Sequence, residues 1–426
     1  MSSSCTNSYV LLQGFNWNSW RENNKTHYTH LQSKSKDIKA TGIDAVWFPP
    51  PIRSVSPQGY MPLDMYNLDS QYGSEDQLRS CIDVFHNDNI DVLADIILNH
   101  RCAEFQNEDG VYNVFGGEMA WDKTAIVGNQ SSYQGEGNPK QTRMFEGAPN
   151  IDHSQDFVRD DITKWLKWLK NDVKFDGFRL DFVLGMETRY FKEYIESADL
   201  QFVVGEYWDC MQYSEDGNPA YDQNAHRQRI VDWMDALNGK ASTFDMTTKG
   251  ILQHALSTKE YWRLADSNMK PPGVMGWWPQ KSVTFLDNHD THWNSQNLWP
   301  FPNHNIRLVE GYSYLLTHPG TPMIYWDHFN IPELRKMLKY LIWLRKEYDI
   351  SNNASITILE ASDRRYMANI DDKLCICIGE FPEYEDRKQV FRSSTVCIYE
   401  LSKTIHAKGN TSGINLREET QETVQS

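Results

Sequence analysis

Val158-Arg-Asp-Asp-Ile-Thr-Lys-Trp-Leu-Lys-Trp-Leu-Lys-Asn-Asp-Val-Lys-Phe-Asp-Gly-Phe-Arg-Leu-Asp-Phe182 holds two elements in series. Val158, Ile162, Trp165, Leu166, Leu169 and Val173 follow one another at spacings of 4, 3, 1, 3 and 4, which lines them along one face of a helix. Beyond Lys174 that period stops, and Gly177-Phe-Arg-Leu-Asp-Phe182 is an apolar run of strand length. A helix delivering the chain into a buried strand is half of the βα repeat that builds parallel sheets. Similar runs recur at Val10 to Trp17, Ala45 to Pro49, Asp91 to Asn99, Gln201 to Trp208, Thr243 to Asp245, Ser282 to Asn288 and Met323 to Trp326. Eight strands separated by helical patterns predict an α/β fold, a closed (β/α)8 TIM barrel.

The spacing is uneven at one place. A barrel of ~250 residues allots about 31 to each unit, whereas Asp95 and Asp181, on the third and fourth strands, lie 86 positions apart. The stretch 101–153 is rich in Gly, Asn, Gln and Ser and lacks a helical period, so it reads as an irregular subdomain inserted after strand three, on the carboxyl-end face. After Asp349 the pattern becomes short alternating runs (Ser355 to Leu359, Arg365 to Ile370, Leu374 to Ile378, Thr395 to Leu401), which predicts a C-terminal antiparallel β-sheet domain. The expected boundaries are 1–100 and 154–349 for the barrel, 101–153 for the insertion and 350–405 for the C-terminal domain. Residues 406–426, mostly polar and without an aromatic, read as a disordered tail.

Composition narrows the function. The 426 residues include 42 Lys and Arg against 58 Asp and Glu, a net charge of −16 that repels phosphate backbones and anionic lipid. Neither nucleic acid nor a membrane is expected as a partner, and no run reaches the ~18 apolar residues of a membrane span. Met1-Ser-Ser-Ser-Cys-Thr-Asn-Ser lacks the apolar stretch of a signal peptide, so a cytoplasmic location is expected; a secreted chain trimmed of its leader would begin the same way. Seven scattered cysteines without a C-x-x-C pair argue against a disulfide framework or a structural zinc site, and Cys375 and Cys377 read as small buried hydrophobes. Aromatic residues make up 13% of the chain, enough to fill a large core or to stack on sugar rings.

In a barrel, chemistry sits at the carboxyl ends of the strands. Three acidic groups close apolar runs there: Asp181 after Gly177-Phe-Arg-Leu, Glu206 after Phe202-Val-Val-Gly, and Asp287 with Asp290 in Val283-Thr-Phe-Leu-Asp-Asn-His-Asp-Thr291. A lone acid at such a place often caps a helix or pairs with an arginine. Several from three strands, beside Arg179, His100 and His289, fit the two carboxyls of a retaining glycosidase with a third acid at the transition state. Arg179 lies two residues before Asp181, on the same side of the strand, where its fixed charge favours the carboxylate that a nucleophile needs. Glu206 adjoins Tyr207 and Trp208, where desolvation raises an acid toward the value useful at neutral pH.

These residues carry a family resemblance. Asp91-Val-Leu-Ala-Asp-Ile-Ile-Leu-Asn-His100, Gly177-Phe-Arg-Leu-Asp181, Gly205-Glu-Tyr-Trp208 and Phe285-Leu-Asp-Asn-His-Asp290 appear in order, flanked by Gln13-Gly-Phe-Asn-Trp17, Gly276-Trp-Trp-Pro279 and His318-Pro-Gly-Thr-Pro322. The chain resembles the α-amylases of glycoside hydrolase family 13, the plant-type enzymes most closely, from about Val10 to Leu401. The resemblance implies Asp181 as nucleophile, Glu206 as acid/base and Asp290 as the third acid. It implies sugar contacts from Tyr60, His100, Arg179, Trp208 and His289, and a surface glucan platform from Trp277 and Trp278, for which ordinary barrel packing is the other reading. The implied reaction is internal, retaining hydrolysis of the α-1,4 bonds of starch or glycogen by a monomer acting on the polysaccharide or on maltooligosaccharides. A 4-α-glucanotransferase sharing the covalent intermediate and an inactive glucan-binding protein are the other readings.

Two departures stand out. The resemblance implies a calcium joining the insertion to the barrel, with Asn99 as one ligand, but Lys140, Met144 and Asn150 stand where plant-type enzymes carry Asp. Calcium takes six to eight hard oxygens and favours carboxylates, so a degraded site is expected, no cofactor is required, and the Lys140 ammonium is a candidate surrogate for the ion. The other reading shifts the alignment so that Glu146 or Asp152 supplies a ligand. After the nucleophile, Val183 and Leu184 replace a sugar-contacting lysine or lysine-histidine pair, which changes leaving-group binding. In the C-terminal domain Tyr384 is a possible sugar contact, or simply a loop tyrosine.

Overall fold

Apolar runs of three to six residues fall into parallel register around a ring. In the computed structural model, which describes residues 8–22, 26–292, 299–302, 305–384 and 387–401, the strands are β1 (Leu11–Gln13), β2 (Ala45–Trp47), β3 (Asp91–Ile96), β4 (Gly177–Leu180), β5 (Val203–Gly205), β6 (Ser242–Phe244), β7 (Ser282–Phe285) and β8 (Thr321–Ile324). Each pairs in parallel with the next, and β8 returns to β1 through Leu11 opposite Met323, closing the barrel. At β8 the ladder begins two residues before the expected Met323, and Trp326 opens a short helix, Trp326–Phe329, instead of ending the strand. Gly177 lies so close to the neighbouring strand that a Cβ there would fall 2.6 Å from the carbonyl of Phe202. Only glycine permits that approach.

The helix ahead of β4 runs Asp156–Trp168 and continues as one wider turn, Leu169–Val173, ended by Lys174 in a left-handed conformation. Its six periodic apolar residues are all buried against the barrel. Burying an amphipathic face in this way, at roughly 25 cal/mol per Å² of apolar surface, is what stabilises such a helix.

Between β3 and β4, residues 101–153 contain the pair Phe105–Gln106 with Tyr112–Val114, two short turns, Lys123–Ala125 and Ser131–Tyr133, and single bridges from Ile126 to Ile151 and from Asn150 to His100. Polar anchoring replaces regular structure there. Buried Arg101 donates to the carbonyls of Leu63, Met119 and Gly116 at 3.0, 2.7 and 2.8 Å, satisfying backbone groups no ladder reaches.

Beyond the barrel lies an antiparallel sheet of β9 (Ile356–Ala361), β10 (Arg365–Ile370), β11 (Leu374–Gly379), β12 (Gln389–Arg392) and β13 (Val396–Glu400), ordered β9-β10-β11-β13-β12. Strand β12 has no counterpart among the expected runs, because this edge strand is short and flanked by charge. One face joins the barrel core, with a hydrogen bond of 2.8 Å between His318 and the Tyr366 hydroxyl. The other gathers Cys375, Cys377, Cys397 and Tyr399. Tyr384 packs edge-on against Tyr399 and beneath the Arg387 guanidinium. The six described cysteines are free thiols. Among the described residues no helix is long and apolar enough to cross a membrane. The expected tail at 406–426 lies outside the described residues.

Candidate active site

Register places Asp95 of β3 beside Arg179 of β4. Both are fully buried, and Arg179 Nη1 donates to Asp95 Oδ1 at 2.8 Å and to Asp181 Oδ1 at 2.6 Å. Its Nη2 lies 2.9 Å from Glu206 Oε1. One guanidinium thus gathers carboxylates from β3 and from the ends of β4 and β5. Just past Asp181 the chain turns through Phe182 at φ 45°, a left-handed conformation costing a bulky residue about 1–3 kcal/mol. That turn aims the Phe182 N–H at Glu206 Oε2, 3.0 Å away. Asp95 Oδ2 accepts from Trp47 Nε1 at 3.2 Å and from the Tyr60 hydroxyl at 2.8 Å, so this acid is committed to holding the arginine and the tyrosine. The sequence held a signal for it: a carboxylate within an apolar run.

Burial pushes Glu206 up to about 8; Arg179 opposes this and the charges of Asp181 and Asp290 add to it. Burial, aided by the charges of Asp181 and Asp95 and opposed by Arg179, raises Asp290 to about 7, and burial with the charge of Asp181 outweighs Arg179 to raise Asp95 to about 6. A carboxyl that stays protonated near neutrality is suited to give a proton to a leaving group.

Asp290 lies beside His289, its Oδ2 3.2 Å from the imidazole Nε2. Gln13 Nε2 donates to His289 Nδ1 at 2.9 Å, so the ring proton sits on Nε2, facing Asp290. Burial holds His289 well below its ordinary value, and therefore neutral. Tyr60 stacks on His289 with centroids 5.1 Å apart, and Trp17 lies parallel to both at 6.1 Å. Neither Gln13 nor Trp17 was assigned a role from the sequence, since only the folded barrel brings β1 beside the loop after β7.

His100 is placed differently. Its Nε2 donates to the Tyr60 carbonyl at 2.9 Å and its Nδ1 accepts from Asn99 at 3.2 Å, while Phe145 of the insertion stacks on the ring at 3.9 Å. A sugar hydroxyl would have to displace one of these partners. Trp208 is half-buried and stacks on Trp299 at 6.3 Å. Asp287 is a structural acid: it accepts from Thr291 and from the Phe301 N–H, with the Lys249 ammonium 3.6 Å away. It also lies close to His292 and His328, where that same ammonium already balances its charge.

Where the resemblance implies calcium, two amide oxygens converge, those of Asn99 and Asn150. Lys140 Nζ donates to Asn99 Oδ1 at 2.5 Å and to Asn150 Oδ1 at 2.8 Å. Thr142 takes the carbonyl of Gly185 at 2.8 Å, four residues after Asp181. Asp152 is spent on Asn138, Ser154 and Gln155, and Glu146 is exposed. An ammonium already on the two amide oxygens, without converging carboxylates, does not fit a divalent ion that needs six to eight oxygens. Burial lowers Lys140 to about 7, and its two acceptors favour the charged form.

Trp277 and Trp278 part company. Trp277 is 41% exposed, one face resting 3.8 Å above the Arg227 guanidinium, which is itself fixed by Asn224, Asp266 and the carbonyl of Pro271. Trp278 is half-buried and covers Gly239.

Comparison with known proteins follows the same line. Residues 18–231 match the family described as alpha amylase, catalytic domain. The chain is 47% identical over 372 residues to the chloroplastic alpha-amylase 3 of Arabidopsis thaliana, covering 87% of this chain and 41% of that one. It is 43% identical over 374 residues to the probable alpha-amylase 2 of the same plant, covering 87% and 88%. The chain thus spans about two fifths of the first relative and most of the second. Among solved structures, an alpha-amylase from Geobacillus thermoleovorans complexed with acarbose superposes with a TM-score of 0.66 at 18% identity, over 95% of this chain and 100% of that one. At that identity the likeness is one of fold.

Proposed function

This chain belongs to the α-amylase family, and on that premise we propose that it is an endo-acting α-amylase, hydrolysing internal α-1,4-glucosidic bonds of starch or glycogen with retention. The observation that carries the reading is the sharing of Arg179 by Asp181 and Glu206, with Glu206 pushed up to about 8. Carboxyls hung on neighbouring nitrogens of one guanidinium suit the close spacing, roughly 5 Å, of a double displacement, not the wider gap of inverting enzymes. Asp181 attacks the anomeric carbon as Glu206 gives its proton to the leaving glycosidic oxygen, so the C–O bond breaks as the ester forms. Glu206, now a carboxylate, takes a proton from water, and the resulting hydroxide displaces Asp181. Asp290 and His289 hold ring hydroxyls at the cleavage point, and the Tyr60 face bounds the sugar. A neutral polyglucose is not repelled by a −16 chain.

The test is release of reducing ends from soluble starch across pH. Because the acid must hold its proton, kcat/KM should fall above an apparent pKa near 8, losing about tenfold per unit beyond it. A limb near the ordinary carboxyl value would remove Glu206 from that role. Conversion of maltooligosaccharides into longer chains without net reducing ends would identify a 4-α-glucanotransferase, and no turnover at all an inactive glucan-binding protein.

The outer face of Trp277 is a glucan platform on this reading, stiffened from below by Arg227. Trp277→Ala should weaken adsorption to insoluble starch roughly 3- to 10-fold, with a smaller effect on turnover of a short maltooligosaccharide. Unchanged adsorption would return the tryptophan to ordinary surface packing.

A further inference from the structure

Lys140 is a long cationic side chain drawn inward at a seam between the inserted stretch and the barrel. Its backbone is clamped by Asn129, which accepts from the Lys140 N–H at 2.9 Å and donates to its carbonyl at 2.8 Å. Its ammonium reaches Asn99 at the exit of β3 and Asn150 at the end of the insertion. Alongside, Thr142 and the Arg143 N–H hold the carbonyls of Gly185 and Leu184, in the loop after Asp181. At Gly185 an added Cβ would fall 2.3 Å from Asn99 Oδ1, so the seam is closed to larger residues. Asn99 passes the constraint onward, because its Nδ2 donates to His100 Nδ1. Phe145, whose N–H donates to Asn150 Oδ1 at 3.0 Å, caps the ring of His100 from the other side.

We propose that the Lys140 ammonium is the built-in cation of this seam, locking the insertion to the barrel and, through Asn99, positioning His100, so that fold and turnover need no metal ion there. A calcium at 2.3–2.6 Å from the two amide oxygens would occupy the space of the ammonium already bonded to them. One charge on a tethered amine also explains the neutral Asn150. Converging carboxylates would demand a second positive charge to stay buried, whereas amide oxygens are satisfied by N–H donors alone. Lys140 is a positioning residue: it meets no reacting atom and acts through Asn99.

The test uses the whole 426-residue chain, and its structural arms are independent of the α-amylase reading. Melting of wild type in EDTA or in added calcium should differ by less than ~1 °C. Lys140→Met keeps the length of the side chain and removes the charge; proteolytic cleavage within 101–153 should accelerate roughly tenfold or more. On soluble starch the same variant should lose roughly tenfold in kcat with little change in KM, the mark of a misplaced group at the cleavage point. Lys140→Asp combined with Asn150→Asp rebuilds a carboxylate pair, and calcium should raise its melting temperature and protect 101–153, an effect EDTA reverses. The proposal is overturned if wild-type melting drops in EDTA and recovers with calcium, or if Lys140→Met is as protected and as active as wild type. A double variant indifferent to calcium would also count against a cation position. Should Lys140→Met fail to fold, the wild-type chelation arm and the double variant still decide. Absent glucan hydrolysis would overturn the functional reading and leave the melting and proteolysis results standing.

Discussion

Asp181→Asn should lower reducing-end release from soluble starch by on the order of 10⁴-fold or more, the size of loss seen when a nucleophile is removed from a concerted group. An amide is neutral and a poor nucleophile, and it changes the side chain by a single atom, so Arg179 can keep an oxygen acceptor there and loses only a counter-charge, while Asp95 and Glu206 stay in place. The companion change Glu206→Gln separates the two roles. It should cost roughly 10²- to 10⁴-fold on starch, whose leaving oxygen needs a proton. Far less should be lost in the first step with an aryl maltooligoside, whose leaving group departs unprotonated. That variant should then accumulate a glycosyl ester on Asp181, visible as a mass increase on the intact protein. An Asp181→Asn enzyme within tenfold of wild type, or an ester found on another residue, would remove Asp181 from the mechanism.

Arg179→Met is expected to abolish turnover and to destabilise the fold. The guanidinium is fully buried and supports three carboxylates, of which Asp95 is itself inaccessible to water. Deleting one partner of a buried ion pair costs about 3–5 kcal/mol, because the charge left behind has neither water nor a counter-ion. The pH dependence has a definite sign. Asp95 already sits at about 6 with Arg179 present, so without that cation its folded value rises further above the unfolded one near ~4. A group raised on folding carries no penalty below its unfolded pKa and the full penalty above its folded pKa. Urea melts should therefore find the deficit relative to wild type smallest near pH 4 and largest at neutral pH. A deficit that is the same at both would mean that Asp95 does not carry the strain.

The barrel was legible in the sequence because its strands are buried on both faces, and an apolar run bounded by polar residues is hard to mistake. The runs overshot the ladders at their carboxyl ends. Gly177 to Phe182 pairs only as far as Leu180, and Ser282 to Asn288 only as far as Phe285. The overshoot has a physical cause, since Asp287 stays buried and Asp181 and Phe182 half-buried after the ladder has ended. Contacts between distant segments left weaker traces. Trp17 over Tyr60 and Phe145 over His100 depend on loops whose paths no local period encodes. Asp95 could have been picked out as a charge inside a strand, although its partner Arg179 becomes evident only from the β3–β4 register. The Trp277–Trp278 pair was readable in one respect: adjacent bulky rings rarely point the same way, and one of them is exposed.

The seam between β1 and β8 sets a clock on biosynthesis. Leu11 pairs with Met323, so the first strand leaves the ribosome about 310 residues before its partner exists, a wait of roughly 15–60 s at ordinary elongation rates. Throughout that interval the β1 edge that will face β8 has no strand to pair with, and the barrel interior stays open on that side.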